Sequence, residues 1–215
     1  PSAAALEGIF RLEEQGAQIE VRLADVSDAK AVAALLAGMS ASPRPLRGIV
    51  HAAGILDDAV AANLSEEKFH RVMAGKAAGA LAIDAVVQPG QLDFLVYASS
   101  AAGVLGTAGQ GNYAAANAML DALAHRQRAR KIPAVSIDWG TWSEVGLAAA
   151  AYNRGARMET HGLTPLRPEF GQALLMKVLA GLPVQVGAML LDAERWCAAS
   201  AASARSGLLE RLRRS

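Results

Sequence analysis

A tyrosine and an asparagine, Tyr113 and Asn117, lie four residues apart in the stretch GQGNYAAANAMLDALAHRQR at 109–128. This spacing places both side chains on one face of a helix. Asparagine is a poor helix former in a helix interior, so a requirement other than helix propensity favours an amide among these alanines. A free tyrosine has a pKa near ~10 and can donate a proton to an alkoxide at neutral pH. The pair is therefore a candidate for proton-transfer chemistry.

Helices and short apolar strands alternate along the chain. Apolar periodicity and capping residues predict helices at 6–16, from Asp28 to Leu36, at 65–87, from Tyr113 onward and at 168–180. Strands are expected at 17–26, 46–54, 92–100, 132–140 and 183–191. This alternation predicts a parallel sheet covered by helices on both faces. Residues 142–163 have no clean period, and the segment 146–163 is interpreted as a lid that orders over bound ligands.

Polar or glycine residues follow four successive predicted strands. They are Asp25, the segment HAAG at 51–54, the pair Ser99 and Ser100, and the segment WGTW at 139–142. In a parallel sheet, ligands bind beyond the carboxyl ends of the strands. Glycine and serine also favour turns, which explains any single one of these sites. Four in succession are better explained by a ligand-binding edge of the sheet.

Five segments of the chain occur in a characteristic order: RLADVSD at 22–28, GIVHAAGILDD at 48–58, MAGKAAGALAID at 73–84, YASSAAGVLGTAGQGNYAAANAMLDALA at 97–124 and IDWGTWSEVGL at 137–147. With them, residues from about 6 to about 195 resemble the short-chain dehydrogenase/reductases, and in detail the ketoreductase domains of polyketide synthases. Most short-chain reductases carry a lysine one turn after the tyrosine. Polyketide synthase ketoreductases place asparagine there and the lysine on the preceding helix, as Asn117 and Lys76 do here.

The resemblance implies an NADPH-dependent reduction of a β-ketoacyl group, with Tyr113, Ser100, Lys76 and Asn117 as catalytic residues. Hydride transfer to a ketone creates an alkoxide, and Tyr113 would supply its proton. The ammonium of Lys76 would favour the resulting phenolate and bind the cofactor ribose. Ser100 would donate a hydrogen bond to the carbonyl oxygen, and Asn117 would orient the lysine.

The resemblance also implies contacts with the cofactor. Small residues after a strand let the backbone approach a cofactor closely, because bulky side chains there would block it. The choice of NADPH rests on the resemblance, since the family's basic residue for the 2′-phosphate is absent from this chain. The implied contacts are Asp25 and Val26 on the adenine side, Ala52, Ala53 and Gly54 at the glycine turn, and Trp139, Gly140 and Thr141 beside the nicotinamide.

The segment Leu56, Asp57 and Asp58 matches the Leu-Asp-Asp motif of the ketoreductases called B-type, which produce a D-configured β-hydroxyl. The A-type carries a tryptophan before the tyrosine, where this chain has Leu105. The resemblance therefore implies that these three residues orient the substrate, with the two carboxylates directing the carrier arm. The alternative is that Asp57 and Asp58 form a solvated turn before the next helix.

The resemblance implies a Rossmann-like doubly wound α/β fold, from which the first strands and the glycine-rich loop are missing in this chain. In the family order, the strands at 17–23 and 46–53 would lie on either side of the missing strands. We therefore expect an upstream segment or another chain to supply them, and residues 1–215 not to fold alone. The expected domains are a catalytic domain at 1–195 and a C-terminal tail or linker at 196–215.

Composition and charge exclude other classes of function. The chain has 215 residues, 53% of them apolar, and a net charge of +1, which predicts one globular domain without a charged surface for nucleic acid or membrane. Cys197 is the single cysteine, so we expect a reducing, cytoplasmic compartment. His70, His125 and His161 have no partners at ligand spacing, which predicts no metal site, and His51 is interpreted as a packed residue at a strand end.

The sequence leaves three possible functions open. The first is a ketoreductase whose partners are an acyl carrier protein with a phosphopantetheine-tethered β-ketoacyl chain and the neighbouring synthase domains. The second is a non-catalytic, reductase-like module that docks within a synthase, which the missing glycine-rich loop favours. The third is a free-standing short-chain reductase, against which the arrangement of Lys76 and Asn117 argues.

Overall fold

The computed structural model describes residues 3–40, 44–144, 158–199 and 205–214. Its strands are β1 (Gly48–His51), β2 (Phe94–Ser100), β3 (Ala134–Trp139), β4 (Leu163–Thr164), β5 (Gln185–Ala188) and β6 (Leu190–Leu191). Four of them form a parallel sheet in the order β1-β2-β3-β5, and β4 pairs with β6 in an antiparallel ladder. The predicted parallel sheet is therefore confirmed.

The structure also contains helices. They are α1 (Ala3–Glu14), α2 (Ala29–Ser40), α3 (Glu66–Met73), α4 (Gly79–Val86), α5 (Ala101–Leu105), α6 (Gly111–Ala129), α7 (Pro168–Gly181), α8 (Ala193–Ala199) and α9 (Gly207–Arg214). A π-helical turn, Ala74–Ala78, joins α3 to α4, and a 3-10 turn spans Ala61–Asn63. No helix within the described ranges has both the length and the apolar composition that a membrane crossing requires.

The alternation of side chains along β2 explains the two helical layers. Leu95 and Tyr97 are fully buried with Leu120 of α6 on one face of the sheet. Val96 points to the other face, where it packs in a cluster with Val178 of α7. Because successive strand residues point to opposite faces, a strand that is apolar throughout has to be covered on both sides.

The capping residues indicated by the sequence fix the starts of two helices. Asp28 Oδ1 accepts hydrogen bonds from the backbone N–H groups of Lys30 and Ala31 at 2.8 and 3.3 Å, at the start of α2. Ser65 Oγ accepts one from the backbone N–H of Lys68 at 3.3 Å, at the start of α3. Such caps satisfy backbone donors that have no partner inside the helix.

Residues 17–26 do not form the strand that their apolar pattern predicts. The side chains of Ile19, Val21 and Leu23 are 37%, 53% and 95% exposed. A strand is held by hydrogen bonds to a neighbouring strand, and none lies beside this segment in the part of the chain that the structure describes. The predicted strand at 17–26 was wrong, because the apolar pattern of a segment does not show whether a neighbouring strand is present to pair with it.

One predicted strand of the C-terminal part differs in the structure. The strand expected at 183–191 is divided, because β5 joins the parallel sheet while β6 pairs with β4. Beyond it, Trp196 of α8 and Leu209 of α9 are buried in one cluster with Leu163. Residues 146–157, which are most of the predicted lid, lie outside the described residues, and the domain boundary at 195 stays a prediction.

Candidate functional site

A pocket of about 540 Å³ opens beyond the carboxyl ends of β1, β2 and β3. This is the edge of the sheet at which the strand ends predict a ligand site. Of the predicted catalytic, cofactor-binding and substrate-orienting residues, the pocket is lined by Ala52, Gly54, Leu56, Lys76, Ser100, Tyr113, Trp139, Gly140 and Thr141. The lining does not include Asn117, Asp25, Val26, Ala53, Asp57 or Asp58.

Lys76 enters this pocket from the π-helical turn between α3 and α4, and only 4% of the residue is exposed. Its Nζ donates a hydrogen bond to the backbone oxygen of Ala98 at 2.7 Å and lies 5.3 Å from the ring centroid of Tyr113. Gly54 makes room for it, since an added Cβ would lie 2.9 Å from Cε of the lysine. The absence of a side chain at Gly54 therefore leaves the space that the Lys76 side chain occupies.

The π-helical turn was not predicted, because an alanine-rich segment fits a regular helix equally well. A buried histidine of β1 is its long-range partner: His51 Nε2 donates a hydrogen bond to the backbone oxygen of Lys76 at 2.9 Å. Burial lowers the pKa of His51, and the nearby positive charge of Lys76 lowers it further. The imidazole is thus neutral at neutral pH and acts as a packed donor that fixes the lysine backbone, which agrees with its interpretation as a packed strand-end residue.

Burial also perturbs the lysine itself. It lowers the pKa of Lys76 to about 8, and the negative charge of Asp121 acts in the opposite direction. The group is therefore mostly protonated at pH 7 and loses its proton within a unit or two above it. A buried amine poised in this way is typical of functional sites.

Two adjacent serines at the end of β2 have different environments. Ser100 lines the pocket and caps α5, where its Oγ accepts a hydrogen bond from the backbone N–H of Ala102 at 3.2 Å. That bond uses the oxygen as an acceptor and leaves the hydroxyl proton available to a ligand. Ser99 is buried, and its hydroxyl donates to the backbone oxygen of Asn117 at 3.3 Å.

Asn117 lies behind the pocket on α6 and is fully buried. Its Nδ2 donates a hydrogen bond to the backbone oxygen of Tyr113, one turn earlier, at 2.7 Å. Its Oδ1 is buried without a hydrogen-bond partner among the described residues. Because a buried acceptor without a partner is costly, this oxygen fits a site where a water or a ligand donor binds.

The acidic residues of the Leu-Asp-Asp segment contact other parts of the chain. Asp57 forms ion pairs with Lys68 at 3.1 Å and Arg71 at 2.9 Å, both on α3. Its side chain is 16% exposed, so the solvated-turn alternative does not describe it. Gln110 Nε2 donates to both carboxylate oxygens of Asp58 at 3.1 and 3.3 Å. These contacts engage both carboxylates within the chain.

Asn112 is a site residue that the sequence analysis missed. It is fully buried, and its Nδ2 donates to the backbone oxygens of Asp57 at 2.9 Å and Lys68 at 3.3 Å. Its Oδ1 accepts from the backbone N–H of Tyr113 at 2.8 Å. The one available signal was an asparagine directly before the tyrosine at a helix start, where side-chain acceptors are favoured. Asn112 thus ties the 54–58 loop to the start of the tyrosine helix.

The predicted adenine-side residues are not brought into the pocket. Asp25 is exposed, and its Oδ1 accepts hydrogen bonds from the hydroxyl and backbone N–H of Ser27, which lower its pKa. Val26 packs against Gly79 of α4 and the adjoining apolar cluster. In the described ranges, no three His, Cys, Asp or Glu residues are grouped as metal ligands would be.

An aromatic pair forms the wall of the pocket after β3. The rings of Trp139 and Trp142 have centroids 4.9 Å apart, and Trp142 packs so closely on Gly171 of α7 that an added Cβ there would collide with the indole. Between them, Thr141 Oγ1 is buried without a hydrogen-bond partner in the portion of the chain described. This wall therefore offers flat apolar surface beside an unused polar group, a combination that suits a planar ligand with polar substituents.

This chain is similar to known proteins in both sequence and fold. The family model of the KR domain matches residues 1–144. The polyketide synthase GfsB of Streptomyces halstedii is 46% identical over 184 residues, which are 85% of this chain and 3% of the relative.

Solved structures give the same result at the level of the fold. PlmKR1, a ketoreductase from the first module of phoslactomycin biosynthesis in Streptomyces sp. HK803, superposes with a TM-score of 0.87 at 34% identity. The match covers 96% of this chain and 47% of that one. An A-type ketoreductase from a modular polyketide synthase gives 0.85 at 34% identity, over 92% of this chain and 42% of that one. These matches confirm the predicted Rossmann-like α/β fold.

Proposed function

This chain belongs to the KR domain family of polyketide synthases, and we propose that it carries the catalytic residues of an NADPH-dependent β-ketoacyl reductase. The substrate is a β-ketoacyl chain tethered to an acyl carrier protein, and the product is the β-hydroxyacyl chain. One observation carries this proposal: Lys76 Nζ lies 5.3 Å from the ring centroid of Tyr113 in a pocket that Ser100 also lines.

The proposed mechanism assigns a role to each of these residues. A nicotinamide cofactor would supply the hydride when bound. The hydroxyl of Ser100 donates a hydrogen bond to the ketone oxygen and holds it near Tyr113. Tyr113 transfers its phenolic proton to the alkoxide that forms. The ammonium of Lys76 stabilises the resulting phenolate, and Asn117 binds, through its unused Oδ1, a water that orients the lysine.

The residues present fit a nicotinamide cofactor at one end of the pocket. The hydroxyl of Thr141, buried without a partner among the described residues, is suited to bind the carboxamide, and Trp139 and Gly140 lie beside it. Ala52 and Gly54 line the path towards Lys76, which would hold the ribose. Asp25, Val26 and Ala53 are proposed to contact the adenine side, although they do not line the pocket.

We further propose a D-configured product on the basis of the Leu-Asp-Asp segment and of Leu105 at the A-type tryptophan position. Leu56 lines the pocket and is the residue of this segment that can contact substrate. Asp57 and Asp58 would act through their contacts within the chain rather than on the carrier arm. Chiral chromatography of the product tests this, and a predominantly L-configured alcohol would contradict it.

The partners follow from the same proposal. Relatives such as GfsB are polyketide synthases of which this chain spans a few per cent. The acyl carrier protein and neighbouring synthase domains are therefore the proposed partners. Cys197 is the single cysteine of this sequence and is buried, which is compatible with the proposed reducing, cytoplasmic compartment.

Substitution of the tyrosine tests the catalytic assignment in the intact protein that carries this chain. Tyr113→Phe should bind NADPH as the wild type does, measured by fluorescence titration, because the ring is kept. Reduction of a β-ketoacyl thioester should fall ~10²–10⁴-fold, the usual contribution of general acid catalysis. A wild type that neither binds nor oxidises NADPH would instead support the non-catalytic module, and near-normal turnover by the variant would refute the role of Tyr113.

A further inference from the structure

A tryptophan that lines the pocket has no part in the mechanism above. Trp196 of α8 is one of the lining residues, and only 6% of it is exposed. Its indole Nε1 is buried without a hydrogen-bond partner among the described residues. Resting on the proposed function, we propose that Trp196 Nε1 donates a hydrogen bond to an oxygen on the δ carbon of the acyl chain, two carbons beyond the ketone, and so selects chains that carry this oxygen.

The start of α8 is fixed in place by a chain of backbone contacts. The backbone N–H of Trp196 donates to the backbone oxygen of Asp192 at 3.0 Å, and the N–H of Asp192 donates to the backbone oxygen of Gly162 at 2.8 Å. Gly162 has a φ of +98°, and an added Cβ there would lie 2.8 Å from the Asp192 oxygen. Glycine alone suits both the turn and this close approach, so the backbone holds Trp196 at a defined position.

That position lies next to the site proposed for the ketone. In the sheet order β1-β2-β3-β5, Leu56 follows β1 and Ser100 ends β2. Trp196 follows β5, at the opposite edge of the sheet, and the short strand β6. It shares one buried cluster with Ala101, the residue directly after Ser100. A ketone held by Ser100 therefore has Leu56 on the β1 side and Trp196 on the β5 side.

The surroundings of Trp196 suit an acyl chain. A substrate that crosses Ser100 with its tethered end at the 54–58 loop directs its chain towards Trp196. Met158 and Leu163 line the pocket there and belong to the same apolar cluster, so they can pack against methyl and methylene groups. Met158 is unbranched and only partly buried, which lets it change rotamer and admit the chain to the buried Nε1.

The chemistry of the indole defines which chain is selected. An indole N–H is a donor only, so its partner has to be an acceptor such as an ether, hydroxyl or carbonyl oxygen. Because the N–H is already buried and unpaired, binding an oxygen costs no further desolvation of the protein. A chain built from two-carbon units carries its next oxygen on the δ carbon. A chain with a methylene group there leaves the buried donor without a partner, which disfavours it.

Two thioesters that differ by one group test this selection. The N-acetylcysteamine thioesters of 5-methoxy-3-oxohexanoate and 5-methyl-3-oxoheptanoate carry an oxygen or a methylene at the same place on the δ carbon. Calorimetry with the intact protein and oxidised cofactor should show about tenfold tighter binding of the methoxy compound, as expected for one hydrogen bond. Trp196→Phe removes the N–H, keeps an aromatic ring and should lower this ratio to one or below. Trp142→Phe removes the indole of another pocket residue and should keep the ratio.

The wild type alone can overturn the proposal, so the test does not depend on the folding of a variant. Equal binding of the two thioesters, tighter binding of the methylene compound or no binding of either would overturn it. A preference that survives in Trp196→Phe would assign the oxygen to another donor and would overturn it as well. Reduction of the same thioesters with NADPH is measured separately. A wild type that reduces neither refutes the proposed function, whereas the binding ratio still decides the role of Trp196.

Discussion

The side chain of Asn112 offers a stability test that can be worked out from its contacts. Replacing it by alanine removes hydrogen bonds to the backbone oxygens of Asp57 and Lys68 and to the backbone N–H of Tyr113. Each hydrogen bond contributes roughly 1 kcal/mol net, and the bond to Lys68, at 3.3 Å, is the weakest of the three. We therefore expect Asn112→Ala to lower the free energy of unfolding by about 2 to 3 kcal/mol.

Urea denaturation of the intact protein measures this loss. Asn63→Ala is the matched control, because Asn63 is an exposed asparagine at the end of the 3-10 turn, and it should change the free energy of unfolding by less than about 0.5 kcal/mol. Asn112→Asp keeps the acceptor for the backbone N–H of Tyr113 but loses the donors to the backbone oxygens of Asp57 and Lys68. It therefore measures the donated hydrogen bonds separately from the accepted one. A loss below about 1 kcal/mol in Asn112→Ala would refute the reasoning, because three partly buried backbone groups would lose a hydrogen bond at too small a cost.

Two further substitutions follow from the same geometry. Gly54→Ala should displace the Lys76 side chain, because an added Cβ would lie 2.9 Å from it, and should lower kcat at least tenfold. Gly8→Ala is the control and should not lower kcat, because Gly8 has open space around it. Equal activity of the two variants would contradict this role of Gly54. Asp138 has a folded-state pKa of about 7 against 3.8 for the free group, so the folded state binds more protons between these values and stability falls as the pH rises through that window. Asp138→Asn should flatten that fall, as measured by urea midpoints at pH 5 and pH 8, and an unchanged slope would be inconsistent with this pKa.

The parallel sheet, two helix starts and the position of the pocket were predictable from short segments of the sequence. The alternation of apolar strands and helices gave the parallel sheet, because strands apolar on both faces have to be covered on both sides. The capping residues Asp28 and Ser65 gave the helix starts, because each cap satisfies N–H groups within three residues of itself. Ligands bind beyond the carboxyl ends of parallel strands, which predicted the edge of the sheet at which Lys76, Ser100 and Tyr113 line one pocket.

Features that depend on distant partners were not predictable in this way. The π-helical turn at Lys76 is joined to His51, twenty-five residues earlier on another element. Residues 17–26 have the pattern of a strand but lie beside no strand in the described ranges. Asp121 and Asp138 are both buried where α6 packs on β3, although each one follows apolar residues in sequence as an exposed polar residue also would.

The contacts of the 54–58 loop bear on how substitutions in its Leu-Asp-Asp segment are to be understood. Asp58 is held by Gln110 and the backbone of Asp57 by Asn112, which are three and one residues before Tyr113. A change in the Asp58 side chain therefore removes a contact with the start of α6 as well as changing the loop. An altered product configuration in Asp58→Ala would then have two physical sources, a changed path of the substrate and a displaced tyrosine. Because displacement of Tyr113 lowers kcat for both configurations and a changed path redistributes them, the total rate and the product ratio together separate the two.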